Sequence, residues 1–198
     1  MQSPWQFGGD YLEISDQKSQ QEKAAVKKTT YFINWFQGMF FTMSDQKKNS
    51  EKILQILREM YERKIPFNKV LGLKIESLKM EDVRVKFEMK DVFIGNYVQG
   101  ILHGGVISAV LDTTGGLTAS LGVLQKMKGQ TAEEIGKSLT KIGTIDLRID
   151  YLRPGKGNYF VATGANMRAG RRVSVTRMEL HNDQHVLIAV GTGTYIVG

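Results

Sequence analysis

The sequence has no cysteine and only three prolines among its 198 residues. The lack of cysteine excludes a disulfide scaffold, an iron–sulfur cluster, cysteine-ligated zinc and any thiol nucleophile. The N-terminus, MQSPWQFGGDYLEI, lacks the basic and apolar regions of a secretory signal, so we expect a cytoplasmic protein. Residues 31–41 are apolar but too short to span a bilayer, so we expect no stable membrane insertion.

Acidic residues are also fewer than basic ones: the chain has 20 Asp and Glu and 27 Lys and Arg, which gives a net charge of +7. This balance favours an anionic partner. Residues 1–42 contain equal numbers of both signs, so the whole excess lies in residues 43–198. We expect 43–198 to be a single domain and 1–42 to be an N-terminal extension of doubtful structure. One hypothesis is that 1–42 is a start-site artefact, and the alternative is a genuine amphipathic tail that binds a partner.

The hydrophobic periodicity predicts one long buried helix among antiparallel strands. Residues 103–124 are apolar nearly all round, as in a core helix. Thr131 and Glu134 form a capping box for a short helix that ends near Leu139. The predicted fold is α+β, an antiparallel sheet of about six strands wrapped around the central helix. The remaining predicted elements are a helix over 49–64 and strands over 70–80, 83–89, 143–153, 159–167, 171–180 and 185–197.

Three motifs resemble ligand-binding sites, but the sequence around each of them argues against that function. Gly136-Lys137-Ser138 resembles the end of a phosphate-binding loop, but the first glycine of that motif is missing and two glutamates precede it. His181 and His185 have the spacing of a helical metal pair, yet they bracket a predicted hairpin turn. Gly191-Thr-Gly193 lies in a strand and opens no helix. We therefore expect no metal and no cofactor.

One segment places catalytic residue types in a suitable context. His103 is followed by Gly104 and Gly105, which open the buried helix and leave backbone N–H groups free at its positive end. Such amides form an oxyanion hole. Asp112 follows in an otherwise apolar run. A buried carboxylate is costly, so Asp112 is either paired structurally or used chemically.

The helical spacing separates these groups within one chain. Nine residues turn a helix through about two and a half revolutions, which puts Asp112 on the face opposite His103 and roughly 10 Å or more along the axis. One subunit cannot easily bring both to the same atom. A two-fold dimer with antiparallel central helices would set the Asp of one chain against the His-Gly-Gly turn of the other.

The motifs ILHGGVISAVLD and, downstream, GTIDLRIDYLRPG resemble the hotdog-fold acyl-CoA thioesterases of the PaaI-like group, and are closest to its YigI-type bacterial members. The resemblance covers roughly residues 50–198. It implies a homodimer or homotetramer that hydrolyses medium- to long-chain acyl-CoA to fatty acid and CoA without a metal. The active site would lie at the dimer interface.

The resemblance also implies roles for single residues. Gly104, with Gly105 beside it, would polarise the thioester carbonyl through its amide, and Asp112 of the partner subunit would act as general base or nucleophile. His103 would shape the turn, and Thr144 would position water. The family's usual Asn or Gln, six residues before the His, is replaced here by Tyr97. Its flanking residues Asn96 and Gln99 are therefore the two candidates for orienting the carbonyl.

A basic window lies beside the second motif, with five bases and no acid from residue 153 to 172. It would hold the phosphates of CoA, against the alternative that its members are solvated turn residues. Its few interleaved aromatics disfavour nucleic-acid binding. A competing function is a non-catalytic acyl-CoA-binding module or sensor, and hydroxyacyl dehydration is disfavoured by the HGG-with-Asp pattern. The five bases are Arg153, Lys156, Arg168, Arg171 and Arg172.

Overall fold

A computed structural model describes residue 30, residues 46–127 and residues 130–198 of the chain. The backbone divides into two units, residues 1–42 and residues 43–198. Apart from Thr30, the first unit lies outside the described residues, and so do both hypotheses about the N-terminal extension. The second unit carries the predicted helices and strands and is described below.

The second unit has an α+β order, in which two helices precede four strands and two further helices precede four more strands. A π-helical turn, Met60–Lys64, follows the first helix, and a 3-10 turn, Asp91–Phe93, precedes the third strand. The helices are α1 (Gln46–Glu59), α2 (Pro66–Leu71), α3 (Gly104–Lys126) and α4 (Ala132–Leu139). The strands are β1 (Lys74–Lys79), β2 (Asp82–Glu88), β3 (Ile94–Asn96), β4 (Ile101–Leu102), β5 (Gly143–Tyr151), β6 (Tyr159–Ala169), β7 (Val173–Asn182) and β8 (Leu187–Ile196).

Six of these strands form one antiparallel sheet in the order β1-β2-β6-β7-β8-β5, and β3 pairs with β4 separately. Helix α3 packs against β6, β7 and β8. Phe87 of β2 stacks on Phe160 of β6 with ring centroids 5.3 Å apart, and both rings are buried. The predicted antiparallel sheet around a long central helix is therefore confirmed.

Helix α3 is the core of the unit. From Thr114 to Gly122 every residue is buried, whereas Asp112 and Thr113 are half-buried. The helix is long and apolar enough to cross a membrane by length and composition alone, but most of it is buried inside the protein. Its apolar surface is thus accounted for by packing against the sheet.

One local difference from the sequence prediction lies before β2. A strand from Val70 was expected, but Pro66 instead starts the short helix α2, a position that proline favours. Gly72 ends that helix with a left-handed φ of 71°, and the strand begins at Lys74. The prediction missed α2 because its six residues are too few to show a helical period.

The capping box and the hairpin turn are confirmed. The Thr131 side chain accepts from the Glu134 N–H, and the Glu134 carboxylate accepts from the Thr131 N–H at 2.8 Å. Gly136-Lys137-Ser138 lies within the resulting helix α4 and not in a phosphate-binding loop. His181 lies in β7, and His185 lies in the turn before β8 with a positive φ of 59°.

Candidate active site

His103 caps the N-terminus of α3. Its Nδ1 accepts the N–H of Gly105 at 2.8 Å, so this nitrogen carries no proton in the bonded state. Its carbonyl accepts from Val106 and Ile107 at 3.0 and 3.2 Å, which anchors the first helical turn. The imidazole is therefore occupied in shaping the turn.

The two glycine amides at the helix start differ in availability. The Gly105 N–H is bound by His103, whereas the Gly104 N–H has no acceptor among residues 46–127 and 130–198. The Gly104 amide also lies at the positive end of a helix of 23 residues. Of the pair, Gly104 alone offers a donor to an incoming oxygen.

Two hydroxyl groups fix the Gly104 carbonyl. Ser108 Oγ donates to it at 2.9 Å, Tyr151 Oη donates to it at 3.1 Å, and the two hydroxyls lie 2.6 Å apart. A Cβ on Gly104 would lie 3.4 Å from the Tyr151 ring. Sequence reasoning missed Ser108 and Tyr151, although both lie in the two motifs that it singled out.

Among the described residues, only one oxygen of the Asp112 carboxylate accepts hydrogen bonds. Its Oδ1 accepts from Thr144 Oγ1 at 2.8 Å and from Tyr195 Oη at 3.2 Å. Its Oδ2 has no hydrogen-bond partner in the part of the chain that the structure describes. The structure thus brings Asp112 and Thr144 together, and it leaves one carboxylate oxygen available to a reacting group.

The structure does not bring Asp112 and Gly104 together within one chain. Both belong to the continuous helix α3, and their eight-residue separation corresponds to about 12 Å along the axis. A substrate carbonyl bound at Gly104 would therefore lie out of reach of Asp112 in the same chain.

The turn before β4 contains the two candidate amides. Asn96 Oδ1 accepts the N–H groups of Val98 and Gln99 at 3.1 Å, so its carbonyl oxygen is used within the turn. The Gln99 side chain makes no hydrogen bond within the described ranges, and both residues are exposed. A Cβ on Gly95 of β3 would lie 2.6 Å from His103 Cα, so only glycine lets β3 approach the His103 turn this closely.

Comparison with known proteins shows the family. The family model described as the thioesterase superfamily matches residues 99–189. The chain is 42% identical over 149 residues to the medium/long-chain acyl-CoA thioesterase YigI of Escherichia coli, covering 75% of this chain and 96% of that protein. The chain belongs to the thioesterase superfamily.

Solved structures of other thioesterase-superfamily proteins share the fold. A Shewanella oneidensis protein related to the superfamily is 49% identical with a TM-score of 0.72, covering 75% of this chain and 97% of that chain. A thioesterase from Haemophilus influenzae has a TM-score of 0.57 at 19% identity, covering 72% and 88%, and shows the fold alone. The predicted hotdog fold and the assignment as a thioester hydrolase are confirmed.

The five bases of this thioesterase do not form one cluster in a chain. Arg153 and Lys156 lie between β5 and β6, where the Gly155 carbonyl accepts the Leu102 N–H at 3.0 Å, next to the His103 turn. Arg168, Arg171 and Arg172 lie at the other end of β6, whose 11 residues span about 33 Å. The window that looked continuous in sequence is divided because a full strand separates its two halves.

Sequence reasoning also missed Tyr195, which contacts Asp112; the nearby Tyr61 bonds Ser120 and not Asp112. Tyr195 of β8 is 1% exposed, and burial together with the negative charge of Asp112 raises its pKa. Tyr61 of the π-helical turn bonds Ser120 Oγ at 3.2 Å, and burial, with a smaller contribution from Asp112, raises its pKa to about 12. Both phenols therefore remain protonated at neutral pH, and the Tyr195 hydroxyl donates to Asp112.

Proposed function

We propose that this thioesterase hydrolyses medium- to long-chain acyl-CoA to a free acid and CoA in the cytoplasm, without a metal, at a site shared between two subunits. The observation that carries the proposal is the pairing of a free Gly104 amide at a helix start with a carboxylate, Asp112, whose Oδ2 is open. The identity of 42% to a medium/long-chain acyl-CoA thioesterase supports the substrate class.

The chemistry follows from these two groups. The thioester oxygen binds the Gly104 N–H, and the Asp112 carboxylate of the other subunit takes a proton from water as the water oxygen attacks the carbonyl carbon. The tetrahedral oxyanion then collapses, the C–S bond breaks, and protonated Asp112 returns the proton to the CoA sulfur. Thr144 steadies Asp112 Oδ1 during both transfers. In the alternative with Asp112 as nucleophile, its carboxylate attacks the carbonyl carbon, the C–S bond breaks to release CoA, and water then hydrolyses the resulting anhydride to the free acid and Asp112.

An exposed sheet edge and exposed apolar side chains beside both halves of the site support a dimer. Strand β5 forms an edge of the sheet over nine residues, and an edge of this length is available for pairing. Ile145 beside Thr144 is 57% exposed, and Tyr97 and Val98 beside the His103 turn are 90% and 77% exposed. Apolar side chains exposed in this way are typical of a surface that another subunit covers. A homodimer is the smallest assembly that completes the site, and a homotetramer would contain two such dimers.

The direct test is thiol release from a panel of acyl-CoAs with short, medium and long chains. We expect turnover that rises from short to medium and long chains. Isothermal titration with the same acyl-CoAs would run in parallel. Saturable binding without release of thiol from any of them would favour the non-catalytic binding module and contradict the proposed activity.

We assign the CoA phosphates to Arg153 and Lys156, because the turn that carries them is hydrogen-bonded to the strand leading into His103. We expect the double variant Arg153→Ala/Lys156→Ala to weaken inhibition by free CoA about tenfold or more, since charge-assisted phosphate contacts are lost. Lys74→Ala/Lys79→Ala removes the same charge from exposed positions of β1, at the sheet edge opposite β5, and is the matched control. Equal weakening in both variants would show a general charge effect and contradict the assignment.

A further inference from the structure

Tyr195 contacts the carboxylate of Asp112 from the last strand of the sheet. Its hydroxyl is shared between the Asp112 backbone carbonyl at 3.1 Å and Oδ1 at 3.2 Å. We propose that Tyr195 is a positioning residue for Asp112: its hydroxyl, together with that of Thr144, fixes Oδ1 and leaves Oδ2 directed to the reacting water. This inference rests on the proposed function, because it assigns Tyr195 an effect on hydrolysis.

The two donors to Oδ1 belong to one cross-strand pair. Thr144 of β5 and Tyr195 of β8 are directly opposite in the antiparallel register. Their hydroxyls therefore come from neighbouring points of a single rigid sheet and meet the same oxygen of the helix. A carboxylate held by two donors on a rigid scaffold keeps one orientation, which general base catalysis requires.

The protein makes room for the Tyr195 hydroxyl with two glycines. A Cβ on Gly115 of α3 would lie 2.2 Å from the Tyr195 hydroxyl oxygen, and a Cβ on Gly193 of β8 would lie 2.6 Å from it. Any side chain at either position would push the phenol away from Asp112. Glycine destabilises the interior of helices and of strands. The presence of one glycine in the helix and one in the strand, both against the same phenol, therefore indicates that the location of the phenol matters.

The Tyr195 hydroxyl is suited to donate a hydrogen bond to Asp112, and it is not suited to take a proton from that carboxyl group. Burial raises the pKa of Tyr195, and the nearby negative charge of Asp112 raises it further, while the Thr176 hydroxyl acts in the opposite direction. Tyr195 thus remains a neutral phenol through the reaction. It acts through Asp112 and is separated from the reacting atoms by the carboxylate.

The test compares Tyr195→Phe with Tyr61→Phe. Each change removes one hydroxyl and keeps the ring, but the Tyr61 hydroxyl bonds Ser120 instead of Asp112. For Tyr195→Phe we expect kcat to fall roughly tenfold to a hundredfold with KM within about twofold, as for other residues that orient a catalytic group. Tyr61→Phe should retain the wild-type kcat. An equal fall in both variants, or wild-type kcat in Tyr195→Phe, would overturn the assignment.

A double-mutant cycle separates positioning from a purely structural role. In an Asp112→Asn background, measured at high enzyme concentration, Tyr195→Phe should cause no further loss, because there is no catalytic carboxylate left to orient. The same fold loss in both backgrounds would mean that Tyr195 acts independently of Asp112 and would overturn the inference. Failure of the proposed function is seen separately, as a wild-type enzyme that turns over no acyl-CoA.

Discussion

Replacing Asp112 by Asn is expected to reduce kcat for acyl-CoA hydrolysis below about one per cent of wild type. A positioned general base contributes roughly 10²–10⁴ to the rate, and an amide cannot take the proton from water. The amide oxygen still accepts hydrogen bonds, so it can keep the contacts with Thr144 and Tyr195. We therefore expect the fold, the oligomeric state and KM to change little.

The matched control for this variant is Asp82→Asn in the hairpin between β1 and β2. Asp82 pairs with Arg84 at 2.7 Å on the surface, and such exposed pairs contribute little to stability. This control makes the same chemical change in an exposed pair that bonds no residue of the site, and it should keep full activity. More than about a tenth of the wild-type kcat in Asp112→Asn would exclude Asp112 as the base, given the contribution that a general base makes.

The helix start and its carboxylate were predictable from sequence because their information is local. The glycines after His103, the apolar run behind them and Asp112 all lie within one helix, so the helical period places them relative to one another. That period also predicted the separation of His103 from Asp112, on which the proposal of a site shared between two subunits is based. Thr144 followed only from the family resemblance, and the structure places its hydroxyl on Asp112.

The contacts that support the site could not be predicted in this way. Tyr195 lies 83 residues from Asp112 in the chain, and the pair meets only because β8 packs against α3. The basic window is divided within one chain for a related reason. Residues that are close in sequence are also close in space when they lie in one turn. Arg153 and Arg172, however, are separated by the whole length of β6.

The second large effect is expected from Gly104→Pro, which removes the proposed oxyanion donor. Gly104 is the first residue of α3, a position where proline is tolerated because its N–H has no helical acceptor. The preceding residue, His103, has φ −67° and ψ 134°, the extended conformation that a residue before proline requires. We expect kcat to fall by about 10²–10³, the usual cost of losing one oxyanion donor.

Gly104→Ala is the control for the added bulk at this position. It keeps the N–H and adds a Cβ that would lie 3.4 Å from the Tyr151 ring, an ordinary van der Waals distance. We expect its kcat to remain near that of wild type, with thermal melting curves of both variants checking the fold. If Gly104→Ala lost as much activity as Gly104→Pro, crowding at the Tyr151 ring and not the loss of a donor would explain both.

The two inactive variants together test whether the site is shared between subunits. In a dimer of one Asp112→Asn chain and one Gly104→Pro chain, one site keeps both Asp112 and the Gly104 amide, and the other site loses both. Because random reassortment makes half of the dimers mixed, unfolding and refolding the variants together should restore about a quarter of wild-type activity. A site contained in one chain would be defective in every subunit of the mixture, so mixing would restore nothing. Recovery therefore distinguishes a shared site from a site within one chain, and the distance of about 12 Å along α3 favours the shared site.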